Sequence, residues 1–374
     1  MKQLAADFEV LRCAILRILS SNLTYFIDKF PWFFWVLSNE IRQHDRGLMD
    51  ARGMDDVALL GPDLSSGREG AIDDLVAFSN AATNPRAPAV LTWHHYNGAA
   101  KGFYCGKEPD GHESCGPHFM DNSTLLDHWY DAKPWLDSFL RAAEPMRAVI
   151  ETNGTNLTRH RAVFVGETSS LVSDRATGAW ATPLFRSYAG AAIWIDKMGL
   201  AASTGNTALF RQMFYCPGYC MVQGGVGKPD MIATPDYWVS RLFVQTIGAA
   251  AFPVLGQWNR YNSFRSHGWC ARGGGVALVY LNARNISVNV NVSLTSGTLG
   301  GSRLEYRMEP GPGGQLEDGV QLNGALLTMS DDSTLPSMPG KAVTAAPGTF
   351  QVAARTYGVM VFPQADGVAE CVAE

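Results

Sequence analysis

The spacing of hydrophobic positions changes character near residue 249. Before it, short apolar runs alternate with longer segments at helical spacing. "DVALLGPD" is an apolar run that stops at Gly61-Pro62-Asp63, and "AIDDLVAFSNAA" then has helical spacing. "AVLTWHHYNG" predicts a strand ending in imidazole and aromatic groups. "LLDHWYDAKPWLDSFLRAAEPMRAVIE" predicts one long amphipathic helix. "AVFVGETSS" is the next strand, expected to end at Gly166-Glu167, and "LFRSYAGAAIWIDKMGLAAS" the next helix. "TALFRQMFYCPGY" holds a further strand. "TPDYWVSRLFVQTIG" closes as a helix, with Thr234 as N-cap and Pro235 at the first helical position. Four strand–helix units in a row imply a parallel sheet, and the polar strand ends are where such sheets place their sites.

Beyond residue 249 the period becomes two. "GVALVYLNA", "SVNVNVSL", "RLEYRMEP", "VQLNGALLTM", "GTFQVAA" and "TYGVMVF" are short alternating runs divided by Gly, Pro and Asn. They predict an all-β unit, a sandwich. The expected organisation is therefore α/β over residues 1–248 and all-β over 249–374.

The N-terminus adds no leader and no membrane span to this reading. "MKQLAADFEVLRCAILRIL" has Asp7, Glu9 and Arg12 among apolar residues, as an amphipathic helix does and a signal peptide does not. Asp28, Lys29 and Pro31 interrupt the apolar stretch that follows. The chain has 374 residues, 46% of them hydrophobic, and a net charge of −5 without a basic run. That supports a large core and argues against nucleic acid as a partner. Ten Trp and twelve Tyr, many in loop-like contexts, suit stacking against sugars. Of seven cysteines, Cys105 and Cys115 bracket a Gly- and Pro-containing loop at a spacing unlike zinc ligands. Six glycosylation sequons occur, at Asn22, Asn122, Asn153, Asn156, Asn285 and Asn291. Cysteines and sequons together suggest an extracellular, lysosomal or other secretory setting.

Candidate chemistry gathers at three strand ends. Glu167 follows a glycine that permits close approach and precedes Thr168-Ser169-Ser170, whose hydroxyls are expected to position the carboxylate. His94 and His95 are adjacent on a strand, so one should face a pocket and the other the helix layer. Arg211, Gln212, Tyr215 and Tyr219 suit hydrogen bonds to a hydroxyl-rich ligand. Neither GxSxG nor HExxH nor a GxGxxG after the first strand is present, so no metal and no cofactor are expected. Carboxylate chemistry remains, and a glycosidase needs two carboxyls.

These residues resemble the heparanase family of retaining endo-β-glucuronidases. The resemblance lies in "LLGPD", "LTWHHYNG", "VFVGETSS", "IWIDKMGLAAS", "FRQMFY", "PDYWVSRLF", "VQLNGALLTMSDDSTLP" and "AECVAE", in family order over residues 57–374. It implies a (β/α)₈ TIM barrel with a β-sandwich attached, this chain carrying the fifth to eighth barrel strands and the sandwich. It implies Glu167 as nucleophile, and Arg68, His94, Tyr96, Gln212 and Tyr219 as substrate-contacting residues. It implies a disulfide between Cys270 and Cys371. The substrate it implies is an anionic glycan, heparan-sulfate-like or another glucuronide, which Arg68 could hold bidentately.

One departure from the family pattern bears on activity. The family's acid/base Glu stands in an Asn-Glu-Pro motif after the fourth strand, and "QLAADFEVLRCAILR" resembles the helix that follows it. The acid/base is thus expected to be absent and the sequence truncated at its N-terminus. Residues 20–55 resemble nothing in the family and read as an insertion. Glu40, in Ser38-Asn39-Glu40-Ile41, is the residual acid/base candidate. The expectation is a glycoside hydrolase impaired in turnover. The alternatives are a non-catalytic glycan-binding fragment and a half that associates with a separate N-terminal chain.

Overall fold

The computed structural model describes residues 60–65, 90–99, 105–107, 113–115, 126–127, 129–131, 135–153, 162–172, 184, 186–212, 214–216, 220–225, 228–255, 264–329, 335–344 and 346–371. Four strands form one parallel sheet in the order β1-β2-β5-β6. They are β1 (Leu60–Ser65), β2 (Val90–Ala99), β5 (Ala162–Val172) and β6 (Asn206–Arg211). Between β2 and β5 lie the hairpin β3 (Cys105–Lys107) and β4 (Glu113–Cys115), in which Cys105 and Cys115 are register partners. The helix α1 (Ser138–Asn153) also lies there, and α2 (Tyr188–Ser203) joins β5 to β6. Of the predicted long helix over 125–151, the continuous described part is α1, which begins at Ser138 and carries Pro145 within it.

After β6 come β7 (Tyr215–Cys216), β8 (Val222–Gly225) and β9 (Lys228–Ala233), a small sheet of its own. Helix α3 (Pro235–Thr246) follows, with Thr234 at its N-cap and Pro235 in its first turn as predicted. The Thr234 hydroxyl, however, donates to the Met221 carbonyl at 2.9 Å rather than capping.

The rest of the described chain is antiparallel. β10 (Ile247–Phe252), β11 (Phe264–Ala271), β12 (Val276–Asn282), β19 (Thr356–Phe362), β14 (Arg303–Pro310), β15 (Val320–Leu322) and β16 (Ala325–Leu326) are neighbours in that order, and β17 (Lys341–Val343) pairs with β14. β13 (Val288–Asn291) and β18 (Thr349–Val352) form a separate pair. All six alternating runs read from the sequence contribute strands. β10 straddles the 248/249 boundary and pairs with β11.

Helix α2 is the keystone between the two kinds of sheet. Every residue from Tyr188 to Ala201 is buried. One side packs with Leu91, Trp93, Val163 and Val165 of the parallel sheet; the other joins Val279, Tyr306, Tyr357 and Val359 of the antiparallel sheet. Each large apolar side chain so buried contributes about 1.5–3 kcal/mol. Tyr188 stacks on Tyr357 with ring centroids 4.5 Å apart, and its hydroxyl donates to the Met308 carbonyl at 2.8 Å. Gly199 lets β11 approach: a Cβ there would lie 2.1 Å from Cγ of His267.

Two charged residues sit in the middle of this buried helix. Asp196 faces the antiparallel sheet, where Arg265 Nε is 2.7 Å and His267 Nε2 2.8 Å away; Arg265 also reaches Asp137 at 2.6 Å. Burial opposes ionisation of Asp196, but Arg265 and His267 outweigh it and hold the carboxyl below its usual range. At the far end, a Cys270–Cys371 disulfide closes the antiparallel region, with Cα atoms 5.1 Å apart and a sequence separation of 101. A loop of that length contributes about 4–5 kcal/mol on chain-entropy grounds. Among the described residues, no helix is long and apolar enough to cross a membrane.

Candidate active site

A single extra residue decides which way Glu167 points. Along β5, Val163 and Val165 face the helices, as Leu91 and Trp93 do on β2. Strict alternation would send Glu167 to that side too. Instead Trp93 pairs with Val165 and His94 with Glu167, which leaves Gly166 unmatched. On the other edge Val165 pairs with Leu209 and Thr168 with Arg211, again one residue over. Such a bulge reverses the facing of everything beyond it. Glu167 therefore joins His94 and Tyr96 on the face opposite the helices, and Thr168 turns toward them. The strand does not end at Glu167 as expected but pairs on to Val172, because the ladder resumes beyond the bulge.

Three side chains converge on the Glu167 carboxylate. The Tyr96 hydroxyl donates to Oε1 in a short hydrogen bond. Having spent its one proton there, Tyr96 must accept from Gln212. The Gln212 amide nitrogen fulfils this, donating to Tyr96 Oη at 2.6 Å and to Glu167 Oε1, with Oε2 3.2 Å away. His94 Nδ1 stands 3.8 Å from Oε2. The Glu167 side chain keeps 31% of its exposure and that of His94 keeps 25%, so the carboxylate is held yet open to a ligand. None of these three partners is a carboxylic acid. Among the described residues, no group of three or more His, Cys, Asp or Glu is arranged to hold a metal.

The hydroxyl run after Glu167 does not position the carboxylate. Thr168 donates to the His95 carbonyl at 2.6 Å, and the Ser169 and Ser170 hydroxyls are buried without a partner among the described residues. The bulge takes Thr168 to the wrong face, and Tyr96 and Gln212 supply the donors instead. Arg211 likewise does not face a ligand. Its guanidinium is buried against Asp236, Nε to Oδ2 at 2.8 Å, and donates to the Gln212 carbonyl. Burial raises the Asp236 carboxyl above its usual range, with Arg211 partly offsetting the shift. Arg68, Tyr219 and Glu40 lie outside the described residues.

The two histidines divide as expected. His95 is buried on the helix side, edge-on to Phe139 with centroids 5.0 Å apart and Nε2 3.5 Å from Ser138 Oγ. Burial and then the Lys197 ammonium push its imidazole well below the usual histidine range. It stays neutral in the fold where an unfolded histidine, near 6.5, takes a proton. Stability is therefore fully present above pH 6.5 and is lost as pH falls from there toward the folded value. Denaturant titrations should show wild type losing up to about 1.4 kcal/mol per pH unit more than His95→Gln between pH 6.5 and 5.5. Parallel pH profiles for the two proteins would refute the assignment.

Lys197 is a residue that sequence reading passed over. It lies on α2 beside Asp196, buried, and its ammonium contacts β5 and β2. Burial, then the nearby Arg211 charge, lower its pKa well below the usual lysine value. An adjacent Asp-Lys inside an otherwise apolar helix was the available signal.

With this geometry in view, relatives can be weighed. No family model matches the chain. It is 27% identical over 335 residues to heparanase of Mus musculus, covering 87% of this chain and 55% of that protein. It is 27% identical over 177 residues to inactive heparanase-2 of Homo sapiens, covering 42% of this chain and 29% of that protein. The chain thus spans about half the length of the curated heparanases it matches. A crystal structure of a 4-O-α-L-rhamnosyl-β-D-glucuronidase from Fusarium oxysporum superposes with a TM-score of 0.51 at 12% identity, covering 78% of this chain and 56% of that one. At that identity the likeness is one of fold. In sequence the chain is thus similar to heparanases, and in fold to a solved glycoside hydrolase.

Proposed function

We propose that this chain carries the nucleophile half of a retaining β-glucuronidase site acting on an anionic, glucuronate-containing glycan. The observation that carries the reading is the convergence of Tyr96, Gln212 and His94 on Glu167. In the proposed reaction the carboxylate attacks the anomeric carbon and forms a glycosyl ester while the aglycone oxygen leaves. A second carboxyl protonates that oxygen and then activates water to hydrolyse the ester. Tyr96 and the nearer Gln212 contact hold Oε1, which leaves Oε2, the oxygen beside His94, to attack. The order β1-β2-β5-β6 supports reading these strands as the fifth to eighth of a (β/α)₈ barrel, with the antiparallel sheets as the appended sandwich. The glucuronidase name of the Fusarium structure and the heparanase relatives favour a uronate. The Cys270–Cys371 disulfide and the exposed sequon residues Asn285 and Asn291 favour a glycoprotein of the secretory pathway.

The acid/base must come from outside the described contacts of Glu167, from the Glu40 region or a separate N-terminal chain. Turnover of poor leaving groups by this chain is therefore proposed to be impaired. A non-catalytic, glycan-binding role is the second reading, favoured by the match to a relative named inactive.

A substrate with an activated leaving group separates these readings. 2,4-Dinitrophenyl β-D-glucuronide needs little protonation at its departing oxygen. The purified chain should release about one dinitrophenolate per site in a burst, yet cleave a glucuronate polymer at least about 10²-fold more slowly than it turns over the aryl substrate. Comparable rates on both would sink the impairment. Polymer binding with no burst would favour the binding role.

A further inference from the structure

Behind the site, on the helix side of the parallel sheet, one cation ties the strands together. Lys197 is 1% exposed. Its Nζ donates to the Ser169 carbonyl at 2.7 Å, to Thr168 Oγ1 at 2.9 Å and to the His95 carbonyl at 3.4 Å. An ammonium has three protons, and each has an acceptor. All three acceptors are neutral, so the charge is stabilised by oriented dipoles and not by a carboxylate in contact. Placing an ammonium there costs several kcal/mol of desolvation that an apolar side chain would avoid.

The acceptors lie next to the site residues in sequence. His95 is between His94 and Tyr96; Thr168 and Ser169 follow Glu167. Thr168 is the hub: its hydroxyl donates to the His95 carbonyl, and its own carbonyl accepts from the Gln212 amide at 3.0 Å. Beside it, Arg211 joins the Gln212 carbonyl to Asp236 at the start of α3. The backbone of all three strands that present Tyr96, Glu167 and Gln212 is thereby bound into one network on the opposite face. The Gly166 bulge makes this necessary. It interrupts the ladder on both edges of β5 at the very residues flanking Glu167.

We propose that Lys197 is a positioning residue for Glu167: through Thr168, Ser169 and His95 it fixes the bulged strand so that the carboxylate meets the Tyr96 hydroxyl and the Gln212 amide. The inference rests on Glu167 being the nucleophile, and one of its readouts does not.

The experiment compares full-length wild type, Lys197→Met and Lys197→Arg, with folding checked by circular dichroism and thermal midpoint. The first readout is the burst with 2,4-dinitrophenyl β-D-glucuronide. Lys197→Met should slow the burst rate constant at least about 10-fold, since sub-ångström misplacement of a reacting group is expensive. Its half-saturation concentration should stay within about 2-fold of wild type, because the ligand-facing side chains are retained. Lys197→Arg, which keeps a buried cation, should recover part of the rate. The second readout is the near-ultraviolet band of Tyr96, taken as each protein minus its Tyr96→Phe counterpart. Loss of the Tyr96–Glu167 hydrogen bond should shift that band in Lys197→Met. An unchanged burst constant and an unshifted band in a folded Lys197→Met would overturn the proposal. A loss confined to half-saturation would do so as well. If wild type gives no burst, the nucleophile reading fails, and the Tyr96 band alone decides the positioning role. Should Lys197→Met not fold, Thr168→Val removes the hub hydroxyl at nearly constant volume and must reproduce both changes.

Discussion

Glu167→Gln is expected to abolish the dinitrophenolate burst, lowering its rate constant by on the order of 10³-fold or more. The amide is isosteric, so the fold should be unaffected, and the thermal midpoint should stay within a few degrees of wild type. What is lost is the electron pair that forms the glycosyl ester. The neighbouring geometry sharpens the expectation. Tyr96 and Gln212 both donate toward the carboxylate, and a glutamine placed there would turn its own NH₂ toward one of those donors. Mass spectrometry of the quenched wild-type reaction should locate a glucuronyl ester on the peptide containing Glu167. An ester on any other carboxylate, or an undiminished burst in Glu167→Gln, would reject Glu167 as the nucleophile.

The largest expected stability loss lies elsewhere, at Asp196. Removing one partner of a buried ion network costs about 3–5 kcal/mol, because it leaves desolvated groups unmatched. Asp196→Ala strands the Arg265 Nε and His267 Nε2, both now 2.7–2.8 Å from its carboxylate. Calorimetry should show a midpoint lowered by roughly 5–10 °C. The comparison is Glu151→Ala, which breaks an exposed pair with Arg147 four residues away on α1 and should cost less than about 0.5 kcal/mol. Asp196 is held below the usual carboxylate range, so its contribution is fully present above about pH 4. It is lost as pH falls through its folded value. The gap between wild type and Asp196→Ala should persist at neutral pH and close below about pH 4. Equal effects of Asp196→Ala and Glu151→Ala would show that the network contributes no more than a surface pair. Because Asp196 joins α2 to β11, a large loss would also show that the parallel and antiparallel regions unfold together.

Much of this organisation was legible in the residues. Period-two runs in the second half marked strands because a sheet with one buried face needs alternation. Apolar strand runs with helical segments between them marked the parallel sheet. Glu167, His94, Tyr96 and Gln212 were named from strand position and from family motifs, and they meet.

What the linear order could not carry is facing. A period of two identifies which residues share a face only while the ladder is unbroken. Gly166 in a strand was a sign of a bulge, but whether it inserts an extra residue depends on two partner strands more than forty residues away. That insertion decides that Glu167 meets Tyr96 while Thr168 meets Lys197. The same limit applies to "IDK" in α2. Its charges could be read as a flaw in an apolar helix, because their partners, Arg265 and His267 on one side and β5 on the other, are supplied by elements distant in sequence. Sequence alone thus determined the element types and singled out Glu167 as the candidate carboxylate. Tertiary structure decided which donors serve it, since hydrogen bonds require particular atoms to meet and strand register sets which ones do.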